Sequence, residues 1–263
     1  MSDTAAPQAS AVADRASQTL HRALDILEAV AEGAHSLKAF EERVGLTRST
    51  THRLASALVD RGLLSAVGRD YRLGGRLVQL GHQARERLGL GEVARPVLAA
   101  LAADTQDAAN LGTAAGDDVL YVAQVPGRRR LEIRHRVGDR NRIRDTALGR
   151  ALLVDAPPER WAALFSENPG SPEAAAFRRD IEAARQRGHA LHLEDGGDSI
   201  RCIAAPIRGA SGGVVAAISL SSVPQYMDEA RMAELAPRVV AAALEIGTAL
   251  GFNPARLNPT AAD

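Results

Sequence analysis

One stretch, Leu37 to Leu73, constrains the fold of this chain more than any other; it reads LKAFEERVGLTRSTTHRLASALVDRGLLSAVGRDYRL. Its pattern predicts a short helix from Leu37 to Val44, a tight turn at Gly45, a second helix from Arg48 to Asp60 and a small hairpin turning at Gly68 to Asp70. That order is a winged helix-turn-helix, a shape whose second helix fits a DNA major groove.

The second helix is amphipathic in a telling way. Thr47 has a short hydroxyl directly after an apolar residue and is a candidate N-cap. Leu54 and Leu58 lie four apart with Ala55 and Val59 beside them, giving an apolar stripe to lay on the first helices. The other face carries Arg48, Ser49, Thr51, His52 and Arg53 near the N-terminal end, with donors and methyls that suit base edges and phosphates. Gly62 is the expected stop. In the first helix, Leu37, Phe40 and Val44 face inward, and Leu46 plugs the corner.

Periodicity alone leaves a second reading open, a small helical bundle that is polar outside only for solubility. Charge favours the first. From Thr47 to Arg76 six arginines face two acids, in a chain whose formal net charge is zero. A local basic surface on a neutral protein suits a polyanion read in one place. Arg69 and Arg72, at or near the wing tip, are candidates for phosphate or minor-groove contact.

A length of 263 residues suggests two domains. Apolar residues make up 46% of the chain but aromatics only 3%, so the cores are expected to be aliphatic. No segment approaches the length of apolar run that a membrane span needs. The N-terminal residues carry Asp3 and Asp14 and no signal-type apolar run, so a cytoplasmic protein is expected. Cys202 is the single cysteine, which leaves no internal disulfide.

Along the chain, residues 1 to about 14 read as a disordered arm, and Gln18 to Glu32 as a helix packed behind the reading pair. The winged domain is placed at 15–75. A linker helix at 76–91 follows, with Leu77, Leu80, Ala84 and Leu88 at helical spacing and Gly89 and Gly91 closing the run. Its stripe suits linker packing or a dimer contact, since DNA half-sites call for a two-fold protein. Residues 92–252 form the second domain. It begins with a helix from Val93 to Asp104, then strands Ala108 to Ala114 and Val119 to Val125 around a Gly-Asp-Asp turn. A third strand is expected at Arg130 to His135, and helices at 146–154, 158–165 and 172–186. Strands at 190–193, 199–206 and 213–221 precede a final helix from Asp228 to about Leu250. Antiparallel strands covered by helices make this an α+β domain.

No metal-ligand spacing, nucleophile elbow, phosphate loop or dinucleotide fingerprint occurs, so neither an enzyme nor a cofactor-binding protein is expected. His189 and His192, three apart on a strand, point to opposite faces and cannot easily share a metal. Cys202 lies on one strand of an expected hairpin, and Ser219 and Ser221 share a facing on the next. They could line a cavity for a small polar molecule, or be a buried small hydrophobe and two strand-end polar groups. A second basic patch runs from Gly127 to Arg150, with nine arginines against three acids. Contact with DNA flanks, attraction of an anionic effector, pairing with a partner subunit and plain solvation all remain open for it.

The chain resembles the IclR family of bacterial transcriptional regulators over roughly Ser17 to Leu250. The resemblance rests on TLHRALDIL (19–27), GLTRSTTHRLASALVDRGLL (45–64) and YRLGGRLVQLG (71–81) in the first domain. In the second it rests on VGDRNRIRDTALGRALL (137–153), RGHA (187–190) and RCIAAPI (201–207). It implies a winged-helix DNA-binding domain, a linker helix and a GAF-like effector-binding domain, assembled as homodimers or tetramers on palindromic double-stranded DNA operators and answering to a small organic acid. It also implies effector contacts at the positions of His192, Ile200, Cys202, Ser219 and Ser221. The first of these is often acidic in relatives, so His192 is a departure; a histidine there could donate to a carboxylate or carry positive charge.

Two other functional classes stay in view. A small-molecule sensor whose first domain mediates protein interaction would show no preference in a selection from random DNA. An enzyme would need a catalytic pair that the sequence does not display.

Overall fold

The computed structural model describes residues 6–87, 89–131, 133, 135–193 and 199–256. The chain divides into two compact units, Met1–Arg87 and Leu88–Asp263.

In the first unit α1 (Ala6–Ala31), α2 (Leu37–Val44) and α3 (Arg48–Asp60) are followed by the strands β1 (Leu64–Val67) and β2 (Asp70–Leu73) and by α4 (Gly75–Arg87). The arm expected up to residue 14 is therefore helical from Ala6, and residues 1–5 lie outside the described residues. Ser36 caps α2 by accepting from the Ala39 N–H at 3.3 Å. Gly45 ends it at φ +67°, a conformation that lets the chain turn sharply into α3 without a Cβ penalty. Ile26, Ala29, Val30, Phe40, Leu54, Leu58 and Leu64 form one buried cluster. Tyr71 of β2 tilts over Phe40 with ring centroids 5.5 Å apart. The wing pairs Leu64 with Leu73 through to Val67 with Asp70. Its base is welded to the end of α3: the Gly74 N–H donates to the Leu63 carbonyl at 2.8 Å, and a Cβ on Gly74 would overlap the Gly62 carbonyl oxygen.

Two expectations in this unit change. Thr47 occupies the N-cap position of α3, but its side chain accepts no backbone N–H; the hydroxyl is engaged with those of Ser49 and Thr50 instead. The linker helix ends at Arg87, and Gly91 lies inside the next helix rather than closing this one. On α4, Leu80 is exposed and Leu77 half-buried, while Ala84 and Leu88 fall outside the residues whose side chains are described.

The second unit is a six-stranded sheet in the order β5-β4-β3-β8-β7-β6, with every neighbouring pair antiparallel. The strands are β3 (Ala108–Ala115), β4 (Asp118–Val125), β5 (Arg140–Arg142), β6 (Ala190–Leu193), β7 (Arg201–Arg208) and β8 (Val214–Ser222). α5 (Leu90–Thr105) and α9 (Glu229–Ala249) cover one face over Leu111, Ile203, Ile207, Ile218 and Leu220. α6 (Ala147–Leu152), α7 (Pro158–Ala163) and α8 (Pro172–Arg187) cover the other over Val119, Tyr121, Ala204 and Ala217. The strand period of two explains the division: Ile218 and Leu220 point one way, Ala217, Ser219 and Ser221 the other. Asp107, its side chain fully buried, ion-pairs with Arg231 at 2.6 Å and accepts from Ser222 at 2.8 Å, joining the start of β3 to the end of β8 and the start of α9.

The strand expected at Arg130 to His135 is absent among its described residues, and Glu132 and Arg134 lie outside them. Leu131 is 53% exposed, so the alternation that suggested a strand has no core to face. The neighbour of β4 is β5, which pairs Arg140–Arg142 with Leu120–Asp118. No helix among the described residues is long and apolar enough to cross a membrane.

Candidate functional site

In the first unit the basic face of α3 is open. Arg48, Ser49, His52 and Arg53 are exposed, as are Arg69 in the turn of the wing and Arg72 on β2. Thr51 must be removed from that surface. Its side chain is fully buried, and its hydroxyl donates back to the Thr47 carbonyl at 3.1 Å. The reason is helical spacing: residues 51, 54, 55 and 58 share one face, and Leu54, Ala55 and Leu58 are in the core. What stays outside is a patch of two arginines, a histidine and a serine at the N-terminal half of α3, the end from which a recognition helix reaches base edges.

In the second unit, the sheet face beneath α6 carries a cavity of about 190 Å³. His192, Ile200, Cys202, Ser219 and Ser221 all line it. Strand register explains how. β7 sets Cys202 beside His192 of β6 on one side and beside Ser221 of β8 on the other. The Cys202 thiol donates to the Ser221 hydroxyl oxygen at 3.2 Å, and Ser219 and Ser221 are both buried.

The opposite wall brings in Arg142 of the second basic patch together with residues that the sequence reading did not single out. Tyr121 of β4, His135, Asn141 and Arg142 of β5, Asp145 and Thr146, with Ala147 and Leu148 of α6, complete the lining. The Tyr121 and His135 rings stack with centroids 4.3 Å apart, and Asn141 donates its amide to the Tyr121 hydroxyl at 3.4 Å. Burial pushes the Tyr121 phenol up to about 12, so it is a donor at any physiological pH. Burial also lowers His135 below its ordinary value, against the opposing pull of Asp139, which favours the uncharged ring. Beneath the floor Asn110 of β3 donates to Ser221 at 3.1 Å and to Ser219 at 3.4 Å. One signal for Asn110 existed: it is a lone amide inside the apolar run AANLG.

The second basic patch resolves into separate roles. Arg129 pairs with Asp107, Arg140 with Asp118 and Arg150 with Asp180, while Arg142 lines the cavity. Arg144 donates to the Leu164 carbonyl at 2.9 Å and lies over the Phe165 ring. Much of this charge is engaged within the fold and is not a free surface field.

A larger groove of about 580 Å³ runs between β6 and α9, lined by Leu191, Leu193, Met232, Ala236 and Val240 among others. It is bigger, but Arg187, His189 and Glu229 are its only polar lining residues among those described. Convergent donors and acceptors on buried strands mark the smaller cavity as the better site for a small polar molecule. Among the described residues no three His, Cys, Asp or Glu side chains come together to hold a metal ion.

Comparisons with known proteins match both halves of the chain. The family model "IclR helix-turn-helix domain" matches residues 19–68, and "Bacterial transcriptional regulator IclR C-terminal" matches residues 82–248. The HTH-type transcriptional regulator BhcR of Paracoccus denitrificans is 32% identical over 244 residues, covering 87% of this chain and 86% of its own length. XynR of Escherichia coli, another HTH-type transcriptional regulator, is 29% identical over 246 residues, 89% of this chain and 98% of its own. Among solved structures, the repressor BlcR of Agobacterium tumefaciens superposes with a TM-score of 0.76 at 22% identity, over 90% of this chain and 98% of that one; that likeness speaks for the fold. With both halves of the chain matched, this protein belongs to the IclR family and is a DNA-binding transcriptional regulator.

Proposed function

We propose that this protein assembles as a homodimer or tetramer, binds a palindromic operator in the cytoplasm, and changes its grip on that DNA when a small organic acid enters the cavity beneath α6. Arg48, Ser49, His52 and Arg53 read the major groove, and Arg69 and Arg72 of the wing hold the backbone. The second unit is a GAF-like effector-binding domain in which His192, Ile200, Cys202, Ser219 and Ser221 contact the acid. The linker helix α4 transmits the change in spacing between the two reading helices. An effector can shift that balance only by binding the two arrangements with different affinity.

One observation carries the reading: five residues scattered from position 192 to 221 line a single cavity, whose far wall brings the donors Tyr121, Asn141 and Arg142, suited to a carboxylate, beside Asp145. The test has two arms on the full chain. Selection from random duplex DNA should enrich a palindrome, and no enrichment would favour a protein-interaction role for the first domain. With that operator in hand, acetate, pyruvate, succinate, malate and benzoate are titrated into a gel-shift assay at fixed salt. At least one should alter operator affinity in the wild type and fail to do so in Ser219→Leu, which still binds DNA. A normal response in Ser219→Leu would refute the cavity as the effector site.

A further inference from the structure

We infer that Arg142 is the residue that takes the charge of the effector: its guanidinium holds a carboxylate at the mouth of the cavity and leaves the uncharged body of the acid pointing inward. The inference rests on the reading of the cavity as the effector site.

Arg142 stands where two hollows meet. It lines the cavity of about 190 Å³ and also a neighbouring polar groove of about 480 Å³. Its backbone is fixed on both sides. Asn141 and Arg142 pair with Val119 and Asp118 of β4. The next residue, Ile143, is fully buried, and its N–H donates to the Asp117 carbonyl at 2.8 Å. The Arg142 side chain, by contrast, is exposed, so a fixed stem carries a guanidinium that solutes can reach.

The neighbouring charges explain why this arginine is the one left over. Arg140, Arg142, Arg144 and Arg160 lie among the acids Asp117, Asp118 and Asp145. Asp118 is directly across from Arg142 in the ladder, yet it pairs with Arg140 at 3.7 Å. Asp117 pairs with Arg160 at 2.7 Å, and Asp145 with Arg144 at 3.7 Å. Each acid is thus matched to another arginine, and among the described residues no hydrogen bond or ion pair engages the Arg142 guanidinium. The surplus positive charge of the cluster therefore sits on Arg142, on the cavity wall. Glu167 and Glu173 line the groove but not the cavity.

The other donors on this wall are neutral or already engaged. The Asn141 amide donates to the Tyr121 hydroxyl oxygen at 3.4 Å, and Tyr121, 4% exposed, offers an uncharged O–H. Among the described lining residues Arg142 is the only arginine or lysine. A carboxylate drawn out of water loses hydration that neutral donors replace only in part, whereas a guanidinium adds opposite charge and two parallel N–H donors. The carboxylate therefore settles at Arg142, and the rest of the acid lies against Tyr121 and the two serines. An acid and its amide have nearly the same shape, but only the acid brings a charge to that arginine.

The test sets acid against amide. Acetate, pyruvate, succinate, malate and benzoate, each with its amide counterpart, are titrated calorimetrically into the full-length protein and into Arg142→Gln, Arg142→Lys and Ser219→Leu. In the wild type the best-binding acid should bind about tenfold to a hundredfold more tightly than its amide, and added sodium chloride should weaken the acid alone. Arg142→Gln should bring the acid down to the affinity of its amide and remove the salt dependence, at an unchanged urea midpoint. Arg142→Lys, which keeps the charge and loses the paired donors, should fall between. An acid that binds Arg142→Gln as tightly as the wild type, while Ser219→Leu abolishes binding, would overturn the assignment to Arg142 and leave the cavity as the effector site. A wild type that binds acid and amide alike would overturn it even if Arg142→Gln failed to fold. If the wild type binds none of the acids, the effector reading fails and takes this inference with it.

Discussion

Asn110 and Ser221 meet amide to hydroxyl at 3.1 Å beneath the cavity floor, although the residue directly across from Asn110 in the β3–β8 ladder is Ser219. Ser221 also accepts from the Cys202 thiol. With both lone pairs of its oxygen engaged, the hydroxyl proton of Ser221 is left as a donor. Asn110 thus orients a polar group that it does not expose. Replacing it with alanine removes a buried donor from two serines at once. Asn110→Ala should cost about 1–3 kcal/mol of stability, read as a lower urea midpoint at unchanged slope. An unchanged midpoint would show that the serines are held by something else.

The reading helix gives a contrasting pair of substitutions. Arg53 is exposed on α3, and Arg53→Ala should weaken operator binding about tenfold to a hundredfold at fixed salt while the thermal transition stays put. Thr51, two residues earlier, is buried, with its hydroxyl on the Thr47 carbonyl. Thr51→Val keeps the shape and loses that bond, so it should reduce stability by about 1 kcal/mol and leave operator affinity unchanged. A gel-shift series in which Thr51→Val, still folded, lost operator binding would put Thr51 back among the DNA contacts.

The difference between these residues shows what the sequence could and could not convey. Elements set by local period were legible: α2, α3 and the wing lie where the apolar spacing and Gly45, Gly62 and Gly68 put them. Thr51 was misassigned because its hydroxyl was weighed as chemistry while its place, three and seven residues before Leu54 and Leu58, was not weighed as geometry. The far wall of the cavity was harder. Tyr121, Asn141 and Arg142 reach Ser219 and Ser221 only through the pairing of β5 to β4, β4 to β3 and β3 to β8, and no local pattern encodes strand order. The false strand at 130–135 arose in the same way, from an alternation that found no neighbour.

Gly149 makes a further prediction. It lies in α6, packed so closely on the preceding turn that a Cβ would overlap the carbonyl oxygen of Ile143. Ile143 is fully buried, and the segment from Arg142 to Leu148 contributes Arg142, Asp145 and Thr146 to the cavity wall. Helix propensity favours alanine over glycine by about 1 kcal/mol, so an exposed site would gain from the change. Here overpacking opposes it, at about 1–3 kcal/mol. Gly149→Ala should therefore lower the urea midpoint and, in the protein that remains folded, displace that wall and blunt the effector response. A more stable Gly149→Ala protein would mean that the turn at Ile143 yields easily.

His135 sets a direction for the pH dependence of stability. Burial beneath its stack on Tyr121 lowers its pKa from the ordinary 6.5, and Asp139 only partly offsets this. The unfolded chain takes up the proton at about 6.5, whereas the folded chain resists until a lower pH. Above about pH 6.5 both states are neutral at this ring, and its contribution to stability is fully present. As pH falls through that value toward the folded pKa the unfolded state binds the extra proton, so stability is lost; below the folded pKa the loss levels off. His189, also lowered by burial, contributes in the same direction. His135→Phe keeps an aromatic face for Tyr121 and removes the contribution of His135. Urea midpoints taken between about pH 7 and about pH 5 should fall more steeply for the wild type than for His135→Phe. Parallel slopes would mean that His135 is as easily protonated in the fold as out of it, and that the neutral character assigned to this side of the cavity is wrong.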